Sequence, residues 1–175
     1  MKKILLRIIT AALLCALTVC IFASCDKQGD SNDGGADNDG SSKKVVYAIE
    51  YNDEKISLGA DATSVVKKIG EPVSKQSTGN CGGLGETVRY DYSAFILVVV
   101  EYDSGAKVDQ IELRNDLVEA VGGVSIGSSE GAVKKAYGEP SEVKGSTFIY
   151  KSGKNRMNIG FEDGYVSFLT MKVEG

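Results

Sequence analysis

One phrase of seventeen residues is written twice, and it limits what this chain can fold into more than any other feature. The first copy runs from 56 to 72 (ISLGADATSVVKKIGEP) and the second from 124 to 140 (VSIGSSEGAVKKAYGEP). The offset is 68 throughout, and seven positions are identical: Ser57/Ser125, Gly59/Gly127, Val65/Val133, Lys67/Lys135, Gly70/Gly138, Glu71/Glu139 and Pro72/Pro140. Each copy reads as a short strand, a tight glycine and a helix of roughly two turns. The helix is closed by a glycine able to take the left-handed cap conformation, with a proline two residues on that cannot continue it. The spacing predicts helices near 61–69 and 129–137, with Ser128 as the N-cap of the second.

Strand signals follow each phrase. Val88, Tyr90 and Tyr92 alternate with polar residues, 94–102 is almost continuously apolar, 103–105 turns, and 107–114 follows. The second copy offers 146–150, then 155–161, a turn at 162–164, and 165–173. Each unit therefore reads as a helix packed on a three-stranded antiparallel meander. Segments 45–51 and 55–58, joined at 52–54, add an N-terminal β-hairpin. The expected class is α+β with two tandem repeats, 56–113 and 124–173, inside a domain spanning 44–175. About 130 residues form one domain's worth of chain, enough for a hydrophobic core.

Ahead of this domain stand two segments of other character. Lys2, Lys3 and Arg7 precede an apolar run from Ile8 to Phe22 that ends in small residues, the pattern of a signal peptide over 1–24. The run is shorter than the ~20 apolar residues that cross a bilayer. Phe22-Ala23-Ser24 before Cys25 resembles the bacterial lipobox, which implies cleavage ahead of Cys25 and attachment of diacylglycerol to its thiol. Cys15 and Cys20 would leave with the signal. Residues 26–42 hold five Asp and, apart from Ala36, no apolar side chain. Such a segment cannot bury enough surface to offset its ordering entropy, so 25–43 reads as a lipidated cysteine and a disordered tether. No calcium-loop spacing occurs among its aspartates.

Charge excludes further classes. The chain carries 24 acidic residues, and 17 of its 20 basic ones follow position 25. The part from 43 onward has a net charge of only −3. No basic patch or basic amphipathic helix points to nucleic acid. The chain has no His, the commonest general base and metal ligand, and no Trp. Ser64 and Lys67 fit Ser-x-x-Lys, and Lys151-Ser152-Gly153 a further motif of penicillin-recognising enzymes. The domain is too short for that fold, however, and Ala132 replaces Ser64 in the second copy. The glycine-rich stretch 79–85 precedes a strand where a phosphate loop needs a helix. Its Cys81 has no His partner to activate it, and an intermolecular disulfide stays open as its role. No catalytic residue, metal site or cofactor is expected.

Two tandem units of about 60 residues, each with an Ile-Gly or Leu-Gly phrase, a short helix, Gly-x-Pro and a meander, resemble the secreted β-lactamase inhibitor proteins and the small outer-membrane lipoproteins of the SmpA/OmlA type. The resemblance covers 56–173. It implies their fold, and through the inhibitors an alternative role as inhibitor of an envelope or secreted enzyme. Those inhibitors carry a disulfide in each repeat, whereas this chain has only Cys81 beyond Cys25, so no inhibitory contact residue carries over.

Strand parity supplies the candidate contact surface. Aligning Tyr102 with Phe161 pairs Val100 with Ile159 and Val98 with Met157, so Ile96, Val98, Val100 and Tyr102 should face the helix. Phe95, Leu97 and Val99 then lie on the opposite face, joined by Val108, Val166 and Phe168. An apolar patch of this kind marks a partner. Cover by the N-terminal hairpin would explain a continuously apolar strand as simply. The expected protein is a lipid-anchored binding or assembly module on the extracytoplasmic face of the cell membrane, with a protein partner in the envelope; the alternatives are the inhibitor and, further off, a small envelope enzyme. Changing Cys25 to Ser should abolish lipidation and leave an uncleaved or soluble form on membrane fractionation; unchanged processing and membrane retention would refute the lipobox reading.

Overall fold

The computed structural model describes residues 44–79 and 85–175. The signal segment, Cys25, the tether and Cys81 lie outside them. Eleven strands and two helices follow in the order β1 (Ala48–Tyr51), β2 (Glu54–Ser57), α1 (Ala62–Ile69), β3 (Ser74–Ser77), β4 (Glu86–Asp91), β5 (Phe95–Tyr102), β6 (Gly105–Leu113), β7 (Glu119–Ala120), α2 (Glu130–Tyr137), β8 (Glu142–Lys144), β9 (Thr147–Ser152), β10 (Asn155–Glu162) and β11 (Tyr165–Val173). The expected α+β class, with two separate helix-on-meander units, is overturned. The fold is mostly β: the helices have eight residues each, and one antiparallel sheet of eight strands runs β3-β4-β5-β6-β11-β10-β9-β8. β6 pairs with β11 from Leu113↔Leu169 to Gln110↔Lys172, so the halves share one ladder. The hairpin β1–β2 is not a lone addition, because β7 completes a three-stranded sheet in the order β2-β1-β7.

The repeated phrase performs the same local work in both halves. Asp61 caps α1 by accepting from the Ser64 amide at 2.8 Å, and Ser129 caps α2 by accepting from the Ala132 amide at 3.3 Å. The expected cap Ser128 does something else: its hydroxyl accepts from the Ser125 amide and closes the preceding turn. Gly59 and Gly127, both with left-handed φ, donate their amides to the carbonyls of Val108 and Val166. Those two valines donate back to the carbonyls of Ala60 and Ser128. Each phrase is thereby hooked to the last strand of its own repeat. At the other helix end, the Tyr92 and Tyr150 hydroxyls donate to the carbonyls of the cap glycines Gly70 and Gly138.

One face of the large sheet, the inner face, meets both helices and the small sheet in one core. Ala62, Ile69, Val133 and Tyr137 from the helices and Ile49, Ile56 and Ala120 from the small sheet join Phe95, Leu97, Val99, Ile111, Leu113, Met157, Ile159, Leu169 and Met171 there. Phe95 is stacked on Tyr92 and met edge-on by Tyr51, both with ring centroids 4.9 Å away. The apolar strand is thus covered by the hairpin rather than offered to a partner. Phe95, Leu97, Val99, Val108 and Val166 are at most 2% exposed, and only Phe168 of the six candidate residues is open.

The parity was inverted by a slip of one residue. The hairpins close at Tyr102↔Gly105 and Glu162↔Tyr165, so Tyr102 corresponds to Glu162 and not to Phe161. Because side chains alternate with period two, that slip exchanges the faces. Removing a large core side chain costs about 3 to 5 kcal/mol, so Phe95→Ala should lower the thermal midpoint by roughly 10 to 20 °C. Ser129→Ala should cost about 0.5 to 2 kcal/mol through the lost cap. Denaturant unfolding measures both; a Phe95→Ala loss below about 1 kcal/mol would contradict the core placement.

Candidate functional site

With the helices and the small sheet packed on the inner face, the outer face of the eight-stranded sheet is the broad surface left to consider. Its composition follows from the ladder register. One row across the strands reads Gln76, Arg89, Val98, Gln110, Lys172, Arg156 and Lys151. The next reads Ser74, Asp91, Ile96, Glu112, Thr170, Asn158 and Ile149. Charged and polar side chains outnumber the aliphatic ones here, in contrast to the largely apolar inner face.

Two bulges shape this surface at equivalent places. Val98 pairs with Gln110 and Val99 with Val108, which leaves Asp109 as an extra residue in β6. Gly160 pairs with Phe168 and Phe161 with Val166, which leaves Ser167 as an extra residue in β11. Each insertion lets the preceding valine face the core while the residue two places on turns outward. Phe168 therefore stands on the outer face although Val166 does not, and its ring lies over Gly160, where any Cβ would collide with it. The Ser167 hydroxyl donates to the Gly160 carbonyl at 3.2 Å.

The charged groups are tied into local pairs. Glu112 meets Arg114 at 3.1 Å and Arg89 at 3.7 Å. Arg156 donates from Nε to Asn158 Oδ1 at 2.8 Å and from a terminal nitrogen to Glu174 at 2.9 Å. Glu142 receives both Lys144 and Lys151 at 3.2 Å. The hydrogen bond from Arg156, reinforced by the charges of Arg156, Lys151 and Lys172, holds the Glu174 carboxyl below its usual range. Burial pushes the Asp109 carboxyl up, and Lys172 partly opposes this.

Elsewhere the chemistry is structural. Ser64 and Lys67 lie exposed on α1, and Ser64 already donates its amide to the cap. Burial raises the Tyr92 and Tyr150 hydroxyls to about 12, and it raises that of Tyr137 as well, so these tyrosines stay protonated. Among the described residues no three His, Cys, Asp or Glu side chains gather as metal ligands, and no helix is long and apolar enough to cross a membrane. Sequence reading turned Ile96 and Val98 of the outer face toward the helix, because its alignment of β5 with β10 was one residue out. The signal that could have found it was the length of the two hairpin turns, which fixes the register.

No family model matches the chain, and no curated protein does. Among solved structures it is similar to an extracellular protein containing an SCP domain from Bacillus anthracis str. Ames, at 14% identity and a TM-score of 0.39 over 86% of this chain and 50% of that one. It is also similar to a DUF4309 family protein (YjgB) from Bacillus subtilis subsp. subtilis str. 168, at 15% identity and a TM-score of 0.38 over 66% of this chain and 79% of that one. The chain thus spans half the length of the first protein. Neither is described as a β-lactamase inhibitor or an SmpA/OmlA lipoprotein, and at this level of likeness neither match carries a fold or a function across.

Proposed function

We propose that the chain is a lipid-anchored extracytoplasmic binding module that holds a protein partner of the cell envelope on the outer face of its large sheet and catalyses no reaction itself. The observation that carries this reading is the division of labour between the two sheet faces. Helices α1 and α2 and the small sheet pack on one face, and the other presents half-buried Val98 and exposed Phe168 among arginines, lysines and acids, while Ile96 and Ile149 of the same rows are already covered. A surface that mixes aliphatic contact area with charged groups of both signs suits a protein partner, because the charges fix register and orientation while the aliphatic positions supply burial. The signal-like segment and the lipobox-like Cys25 support placement outside the cytoplasm on a lipid anchor. Of the six residues expected to form a surface around Phe95, only Phe168 belongs to this face, since the other five side chains are in the core.

The test compares two variants in cross-linked membranes. Val98 lies on the outer face opposite Arg89, so Val98→Glu puts an acid beside an existing cation and should leave the fold intact. Leu117 is 79% exposed outside the sheet, and Leu117→Ser serves as the control. Val98→Glu should reduce capture of the cross-linked partner at least tenfold with an unchanged circular dichroism spectrum, while Leu117→Ser captures normally. Equal capture by both variants would exclude the outer face as the contact surface.

A further inference from the structure

The outer face carries an arrangement that its own stability does not call for. Lys172 lies directly opposite Arg156, and Arg156 directly opposite Lys151. Three cations thus stand in line on adjacent strands β11, β10 and β9. With strands about 4.8 Å apart, their Cα atoms span only roughly 10 Å. Like charges directly opposite one another in a sheet are destabilising, and alternating signs would serve the fold better.

Glu174 is the acid paired with the central cation of this row, while Lys151 at its β9 end meets Glu142 of β8 at 3.2 Å. Glu174 follows the last residue of β11, where the ladder has ended at Asn155↔Val173, and its amide donates to the Lys154 carbonyl at 2.6 Å. Its carboxylate accepts from Arg156 at 2.9 Å, and its charged form is favoured by all three cations. The Arg156 side chain is 23% exposed and that of Glu174 38%, so the pair is open to solvent on one side.

Resting on the reading of the outer face as the contact surface, we propose that Lys151, Arg156 and Lys172 form a subsite for a carboxylate of an acidic segment in the protein partner, and that Glu174 occupies this subsite in the free protein as a displaceable stand-in. A carboxylate is the chemistry that the cations hold now. The incoming acid replaces Glu174 at Arg156, and Lys151 and Lys172 neutralise it from either side. An anionic bilayer is the poorer occupant, because the part of the chain from 43 onward has a net charge of −3 and a bilayer meets that whole field rather than one local row.

The full-length protein in detergent is titrated against a fluorescently labelled hexaglutamate peptide at low ionic strength, with hexaglutamine and glycerol phosphate, the soluble headgroup of phosphatidylglycerol, as further arms. Glu174→Gln should bind hexaglutamate about three- to tenfold more tightly than wild type, and Arg156→Gln and Lys172→Gln should each bind about tenfold more weakly. Circular dichroism of every variant monitors the fold, and Lys172→Gln decides the matter if Arg156→Gln unfolds. The proposal is overturned if Glu174→Gln fails to tighten binding, if hexaglutamine binds equally, or if glycerol phosphate binds where the peptide does not. Its failure is separable from failure of the outer-face reading: loss of partner capture by Val98→Glu would still stand without a carboxylate subsite.

Discussion

A β-strand sorts its side chains to two faces with period two, and in both halves of this protein the sorting depends on a single inserted residue in the last strand. Asp109 in β6 and Ser167 in β11 are those residues. The valine just before each insertion is the one whose backbone is bonded on both sides to the repeated glycine phrase. That hook sets where the helix enters, and the bulge lets Val108 and Val166 point into the core while Gln110 and Phe168 point outward. Without the extra residue, either the valine or the run beyond it, Ile111 and Leu113 or Leu169 and Met171, would have to face the wrong way. The repeat of the phrase is thus also the repeat of a change in strand parity.

The second dependence is the seam between halves. β6 and β11 each end a repeat, and their pairing turns two four-stranded halves into one sheet with a continuous inner face. Leu113 and Leu169, and Ile111 and Met171, face each other across the seam on the core side. On the outer side the same pairing sets Glu112 beside Thr170 and Gln110 beside Lys172, so the polar rows run unbroken from one repeat into the other. Neither half alone has that surface, which is why the outer face belongs to the assembled domain rather than to either repeat.

The helices were legible in the sequence because their signals are local: a glycine and a proline at 70 and 72 close the first and recur at offset 68, although the cap of the second was expected one residue early, at Ser128 rather than Ser129. The class was not legible. β3 (Ser74–Ser77) is exposed along its length and β8 (Glu142–Lys144) nearly so, as short edge strands can be, and they leave no apolar alternation to find. Without them each repeat looked like three strands, and nothing in the pattern of 107–114 or 165–173 announced that those segments would pair. The candidate surface failed for a narrower reason. In β5 both Ile96 and Leu97 are buried, on opposite faces, so hydrophobicity could not choose the register, and an alignment one residue out chose the wrong one.

What the core takes away from the apolar candidate surface it gives to the polar one. The inner face is occupied by aromatic and aliphatic packing that only unfolding would expose, so under the proposed reading recognition falls to side chains whose individual contributions to stability are small. On that face the cations of β9, β10 and β11 are each balanced from a different part of the chain. Glu142 of β8 meets Lys151, Glu174 beyond β11 meets Arg156, and Asp109 of the β6 bulge acts on Lys172. Two ion pairs and one nearby acid offset one row of like charge where a single exchange of sign within the row would have removed the need for them. An arrangement so distributed draws on strands from across the sheet.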